Sequence, residues 1–462
     1  MSRTLVVSIS GIRGIVGRGL DPEVVARYAG AYAGWCHDQA GGETPVVVVG
    51  RDARVSGALY AELVMNTLQA AGCDVIDAGL ATTPTVEMAV IREGATGGIV
   101  LSASHNPAEW NALKLLGPSG EFLSPAEAAD VIERPAGPWA DYQALGQRRS
   151  ASYLDYHVQA VVDLPEIDIE SIRKRDFRIV VDGINSVGAI AMPALLEALG
   201  VRREQIILVN GEPHGRFAHP AEPLPQNLVE TCAVVAREGA DIGLVVDPDA
   251  DRLALIQDGG VYVSEELTQV LATDFWWGRH DGPFVTNLSS SRAIEDVARQ
   301  RGQQVFRSAV GEINVVEEMK RTGAVIGGEG NGGVILSALH NGRDALVGAA
   351  FILQHLVNQG RSLSSLVADL PTYHMAKLKT DIAGHDPEVL LARMAQRYSG
   401  GDGAGSAGRV STVDGVKVDL DEGWVHMRRS NTEPIIRVYT EAGSPEAAHA
   451  LGERFMAELL DD

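Results

Sequence analysis

The sequence predicts an α/β chain: three similar α/β domains followed by an α+β domain. Three observations point there. A short segment recurs as Arg92-Glu93-Gly94-Ala95, Arg237-Glu238-Gly239-Ala240-Asp241 and Arg321-Thr322-Gly323-Ala324. Each copy follows a helix-patterned stretch and leads into an apolar run that ends in a polar loop rich in glycine or carboxylates. Upstream of each copy lies a further strand-loop-helix unit, over residues 46–63, 178–199 and 283–298. After Ala368-Asp369-Leu370-Pro371 the pattern changes to strands and one closing helix. The domains expected are residues 1–150, 151–257, 258–369 and 370–462.

Taken in order, residues 6–17 read as a strand breaking into a glycine-rich turn, Gly11-Ile12-Arg13-Gly14. Arg13 there is either a solvated loop residue or an anion contact beside bare backbone. A helix near residues 21–35 leads to Pro45-Val46-Val47-Val48-Val49, a buried strand. A polar turn and a helix from Ala58 complete a βα unit, in which Arg51 and Arg54 could simply pair with Asp52. Residues 131–156, with Pro135 and Pro138, read as the tail of the first domain and a linker helix. Asp258-Gly259-Gly260 marks a second boundary. In the last domain residues 399–408 read as a loop, Val416-Lys417-Val418-Asp419-Leu420 as a half-exposed strand, Trp424-Val425-His426-Met427 as another, and residues 445–460 as a helix.

Composition narrows the function. A length of 462 residues exceeds one ordinary core. A net charge of -22 argues against nucleic acid, yet a few local Arg and Lys can still make a cationic cleft for a small anion. Cys36, Cys73 and Cys232 are scattered, which gives no disulfide framework and no thiolate zinc site and fits a reducing cytoplasm. The N-terminus is too short in apolar residues for a signal peptide, and no apolar run reaches membrane-spanning length.

Four loops carry chemistry. The buried run Gly97-Gly98-Ile99-Val100-Leu101 spills into Ser102-Ala103-Ser104-His105-Asn106-Pro107, the place where ligands bind in open α/β sheets. Ser104 reads as a turn serine or as a covalent phosphoryl carrier. A hydrolase nucleophile with His105 as base is disfavoured, because adjacent residues in an extended segment point apart. Lys114 follows as a candidate general acid/base. In Asp247-Pro248-Asp249-Ala250-Asp251-Arg252, three alternating carboxylates repel unless a hard divalent cation relieves them, and Arg252 could hold a phosphate oxygen. The third loop, residues 327–333, has glycines for close approach and Glu329 and Asn331 to meet hydroxyl groups, or is a plain glycine turn. The fourth, Arg428-Arg429-Ser430-Asn431-Thr432-Glu433-Pro434 with Arg437 on the following strand, offers cationic and short polar donors suited to a phosphate.

Together these loops resemble the α-D-phosphohexomutase family over nearly the whole chain. The resemblance implies mixed sheets in the α/β domains and a central cleft lined by all four. It implies that Ser104 is phosphorylated, that Asp247, Asp249 and Asp251 bind one Mg²⁺ per chain with Ser104 beside it, and that Arg252 follows them. Glu329 and Asn331 would then read the sugar, and Arg428, Ser430, Asn431 and Thr432 would bind the substrate phosphate. Arg13 matches the family's Gly-Ile-Arg-Gly segment, and Lys114 matches its lysine. The reaction implied moves a phosphoryl group between the 6- and 1-positions of a hexose, with a hexose 1,6-bisphosphate as intermediate and activator and a small sugar phosphate as partner. The assembly expected is a monomer or homodimer. The Glu-Gly-Asn-Gly-Gly form of the third loop is most like sequences described as phosphoglucosamine mutases, and phosphomannose and phosphoglucose enzymes share much of it. Two other readings stay open: a metal-dependent phosphatase with Asp247 as nucleophile, and a sugar-phosphate sensor.

Overall fold

The computed structural model describes residues 4–8, 11–382, 384–399, 409–430 and 434–461. They form two compact units, residues 1–280 with 331–368, and residues 281–330 with 369–462.

The recurring segment has a physical cause. Helices Thr83–Glu93, Val229–Glu238 and Glu312–Thr322 each end at a glycine in the left-handed region: Gly94 at φ 58°, Gly239 at 59° and Gly323 at 71°. Glycine reaches that conformation without a Cβ penalty, and Arg92, Arg237 and Arg321 lie in the last turn where a cation suits the helix dipole. Each helix then feeds a buried strand, Gly97–Leu101, Ile242–Val246 or Ile326–Glu329.

In the first unit a seven-stranded mixed sheet has the order Val6–Ser8, Gly11–Ile15, Trp110–Leu116, Gly97–Leu101, Val46–Arg51, Asp74–Leu80, Arg148–Ser150. A five-stranded sheet places Ile242–Val246 between antiparallel Leu253–Gln257 and parallel Ile179–Asp182. All five residues of Gly97–Leu101 and of Ile242–Val246 are buried. Each apolar side chain so buried stabilises the sheet by roughly 1.5–3 kcal/mol, so both functional loops spring from rigid strands. The hairpin Gly333–Leu336 and His340–Arg343 also belongs to this unit and leads into helix Ala345–Gln359.

In the second unit Val305–Ser308, Phe284–Asn287 and Ile326–Glu329 pair in parallel. Its other sheet is antiparallel throughout, in the order His374–Asp381, Ile435–Ala442, Gly423–Arg429, Val416–Asp419, Arg409–Ser411. Helix Pro445–Leu460 covers it through Leu451, Phe455 and Leu459.

Four expectations change. Gly11–Ile15 is a strand, not a turn, paired with Val6–Ser8 on one side and Trp110–Leu116 on the other. Its glycine serves close packing: a Cβ at Gly11 would lie 2.3 Å from the Leu113 carbonyl oxygen. The linker after Pro138 contributes Arg148–Ser150 as an edge strand. Asp258-Gly259-Gly260 turns a hairpin from Leu253–Gln257 to Val261–Val263, so the sheet continues past the boundary read there. Val416–Asp419 is largely buried, with Lys417 and Val418 almost fully enclosed. In the loop read over residues 399–408, Ser399 ends helix Pro387–Ser399, and the rest lies outside the described residues.

Candidate active site

The serine loop turns over Ser104 and His105, with the Asn106 amide on the Ala103 carbonyl at 3.0 Å. Ser104 stands at φ 47°, a region that costs a side-chain-bearing residue energy unless its surroundings hold it there. The surroundings do. The Ser104 amide donates to the Ser102 hydroxyl at 2.9 Å, and that hydroxyl donates to Asp52 Oδ2 at 2.7 Å. Arg54, 1 % exposed, pairs with Asp52 at 3.1 Å and donates to the carbonyls of Ser104, Asn106, Pro107 and Trp110 at 2.6–3.0 Å. The pairing with Asp52 read from the sequence is present, but it is the smaller part of what Arg54 does. No spacing rule could have shown the four carbonyl contacts.

Because of that bend, Ser104 Oγ lies 3.4 Å from His105 Nδ1, not on the opposite side as an extended segment would place it. Arg252, burial and Arg13 push the imidazole down to about 2, so it is neutral. Arg13 itself donates to the Asn106 side chain at 3.2 Å.

The aspartate loop closes against the serine. Ser104 Oγ donates to Asp247 Oδ2 at 2.6 Å. Asp247, Asp249 and Asp251 are fully buried and could hold a metal ion, since one oxygen of each lies within 4.8 Å of the others. Burial, and then Asp251 and Asp249, drive Asp247 well above the usual carboxylate range. Burial pushes Asp251 the same way, but Arg343, Lys114 and Arg252 outweigh it and hold Asp251 low. Asp249 Oδ1 and Asp251 Oδ1 are buried and accept no hydrogen bond among the described residues. A hard cation with oxygen ligands fits this donor set and satisfies those orphaned atoms.

The other oxygens of the triad are spoken for. Lys114 Nζ meets Asp249 at 2.6 Å and Asp251 at 3.4 Å. Burial would lower its pKa, but these carboxylates raise it above the usual lysine range, so Lys114 is charged. Thr83, at the start of helix Thr83–Glu93, donates its hydroxyl to Asp249 at 2.5 Å and its amide to the Asp249 carbonyl at 3.0 Å. Arg343 Nη2 donates to Asp251 at 2.7 Å. Arg252 Nε lies 3.7 Å from Asp251 and 4.0 Å from Asp247. Ser186 ties the aspartate loop to the turn that carries Asp52 and Arg54, by accepting from the Ala53 amide at 3.2 Å and donating to the Pro248 carbonyl at 2.5 Å. Thr83, Ser186 and Arg343 were missed from the sequence. Only Arg343 left a trace there, as a charged pair with Asp344 ahead of an apolar helix.

In the second unit Glu329 is buried and accepts from Asn287 Nδ2 at 2.8 Å and the Gly311 amide at 3.1 Å. Asn331, in the first unit, accepts from the Gly333 amide at 3.2 Å. Arg428 and Arg437 are direct cross-strand partners, and Lys379 stands opposite Arg437 on the other side. Direct partners point to one face, so three cations form a row there. Arg428 Nε also sits 2.8 Å from Asp414 Oδ2. Ser430 ends this strand's run, with its amide on the Ile435 carbonyl at 3.0 Å. Asn431 and Thr432 lie outside the described residues.

Comparison with known proteins adds the family. Four domain profiles of phosphoglucomutase/phosphomannomutase match: the α/β/α domain I at residues 5–136, domain II at 151–260, domain III at 264–373 and the C-terminal domain at 381–458. A phosphoglucomutase/phosphomannomutase of Thermococcus kodakarensis is 35% identical over 459 residues, 97% of this chain and 98% of its own. A phosphoglucosamine/phosphogalactosamine mutase of Sulfurisphaera tokodaii is 31% identical over 96% of each chain. A crystal structure of a phosphoglucomutase/phosphomannomutase family protein from Burkholderia thailandensis superposes with a TM-score of 0.82 at 24% identity, over 99% of this chain and 97% of that one, which shows the shared multi-domain α/β fold.

Proposed function

The chain belongs to the α-D-phosphohexomutase family and is a phosphohexomutase; we propose that it works as a phosphoglucosamine mutase through a phosphorylated Ser104. In this reading phosphoserine 104 gives its phosphoryl group to the free hydroxyl of glucosamine 6-phosphate. The Oγ–P bond breaks as the sugar O–P bond forms, which yields the 1,6-bisphosphate. Ser104 then takes back the 6-phosphoryl group and leaves glucosamine 1-phosphate.

The observation that supports this best is the 2.6 Å contact of the Ser104 hydroxyl with Asp247 inside a buried carboxylate triad. Asp247, Asp249 and Asp251 would hold Mg²⁺, which when bound offsets charge on the transferring phosphoryl group. Lys114, kept charged by Asp249 and Asp251, is the proton donor of this reading. His105, kept neutral, orients the serine hydroxyl. Arg13, on the Asn106 side chain, and Arg252, beside Asp247 and Asp251, add positive charge to the two loops. Glu329 and Asn331 read the sugar, and Arg428, Ser430, Asn431, Thr432 and Arg437 bind the phosphate that is not reacting. Cys36, Cys73 and Cys232 are free thiols, in keeping with a cytoplasmic setting, and no described helix is long and apolar enough to cross a membrane.

The test is a coupled assay of glucosamine-, glucose- and mannose-phosphates side by side, with a catalytic trace of the matching 1,6-bisphosphate. The expected result is highest kcat/KM on glucosamine phosphate and no net phosphate release. Preference for mannose or glucose phosphate would reassign the sugar. Stoichiometric inorganic phosphate would sink the mutase and favour a phosphatase.

A further inference from the structure

Behind the aspartate triad lies a second buried cluster that the reaction does not use. His157, on helix Leu154–Val162, places Nε2 2.8 Å from Asp344 Oδ2. His340, on strand His340–Arg343, places its own Nε2 3.4 Å from the same oxygen. All three side chains are at most 4 % exposed, and one ligand atom of each lies within 4.8 Å of the others. The other oxygen of Asp344 is occupied at 2.8 Å by an amide of helix Ala345–Gln359, so Oδ2 is the one left for this cluster.

We propose that His157, His340 and Asp344 form a second divalent-cation site, of the zinc class, that pins together three of the family's domains. The outer ring nitrogens carry the argument. His157 Nδ1 lies 2.9 Å from the Thr85 hydroxyl, and His340 Nδ1 lies 3.0 Å from Glu87 Oε2. The His157 contact is a hydrogen bond of the kind that orients a metal-bound histidine, with the far nitrogen on a hydroxyl while the near one faces the ion, and Glu87 is the carboxylate neighbour of the far nitrogen of His340. Two imidazoles and one carboxylate suit zinc by ligand type.

Charge balance points the same way. Asp344 is 1 % exposed, and a buried carboxylate needs a positive partner, which one divalent cation held by neutral imidazoles supplies. At zinc–ligand bonds of ~2.0–2.2 Å, tetrahedral ligand atoms stand about 3.3 Å apart. The His340–Asp344 pair is already at 3.4 Å, and the His157–Asp344 pair opens by about half an ångström. Glu87 packs against the bare backbone of Gly342, where a Cβ would come within 1.9 Å of its Oε2. Glu87 comes from the segment matching domain I, His157 from domain II, and His340 with Asp344 from domain III.

The test is a cobalt titration of the chelator-stripped full-length chain, read by metal analysis and visible absorption. Four-coordinate cobalt with nitrogen ligands absorbs strongly, and six-coordinate oxygen-bound cobalt barely does. Two equivalents per chain are expected, one of them strongly coloured. His340→Gln and His157→Gln should each lose the colour and one equivalent. Asp249→Asn should keep the colour and lose the other. Zinc should raise the thermal midpoint of the wild type by several degrees and leave His340→Gln unmoved. A wild type that takes up one equivalent without the intense band overturns the site and leaves the cluster held by protons, even if neither histidine variant folds. So does colour that survives in both histidine variants.

Discussion

In the first unit nearly every charge at the candidate site meets its opposite. Lys114 sits on Asp249 and Asp251, Arg343 on Asp251 and Arg54 on Asp52, all deeply buried. In the second unit Arg428, paired with Asp414, faces Arg437, and Arg437 faces Lys379, with Arg437 and Lys379 exposed. Paired, desolvated charges hold a geometry still. Like charges in a row repel, and an incoming phosphate relieves them. On the function proposed above, the contrast would separate a place for group transfer from a place for grip, and it can be pressed by substitution.

The largest effect is expected at Ser104. Ser104→Ala should lower turnover by about 1000-fold or more while sugar phosphate still binds, because the covalent carrier is gone. Coupled turnover and equilibrium binding on one preparation check it; unchanged turnover would falsify the carrier reading. Asp249→Asn should cost about 100- to 1000-fold in kcat and shift the Mg²⁺ requirement upward, as loss of one electrostatic element of a preorganised site does. A Mg²⁺ titration of initial rates measures both.

Arg54→Lys should cost about 100-fold in kcat with KM little changed, because a compact ammonium cannot serve four carbonyls and Asp52 together. Arg54→Met should also destabilise the chain by about 3–5 kcal/mol, since the buried Asp52 loses its counter-charge. Denaturant titration gives the second figure. By contrast Arg437→Ala should raise KM about tenfold and spare kcat, which is what loss of uniform grip predicts. A drop in kcat there would blur the division between the two units.

The smallest effect concerns Lys417, buried in the second unit with its Nζ 4.8 Å from the Trp424 ring centre and 3.3 Å from Asp419. Burial, and then Arg307, push it down to about 7. Its folded pKa is below the unfolded one, so the unfolded chain binds the extra proton between about pH 7 and 10.5. Stability from this group therefore rises with pH across that window. Lys417→Met should flatten the pH slope of the unfolding midpoint relative to wild type. An unchanged slope would remove Lys417 from the account.

The loops were legible in the sequence because glycine caps, apolar runs and alternating carboxylates are local signals. Ser104, Lys114 and the aspartates stood out by type and spacing alone. Arg54, Thr83, Ser186 and Arg343 did not, because their work is done across 50 to 166 residues of chain, as in Arg54 to Ser104 or Thr83 to Asp249. The Gly-Ile-Arg-Gly segment misled for a related reason. Its first glycine answers to a neighbouring strand, and composition cannot tell that use from a bend.

The contacts of Arg54 with the serine loop end almost entirely on main-chain oxygens. Every amino acid supplies such an oxygen. The side chains along the loop can therefore change and retune what lies next to the Ser104 hydroxyl, while the loop keeps its shape. The freedom is one-sided: the arginine itself has no substitute. Families grown from such a loop would diversify around it and hold this single cation constant.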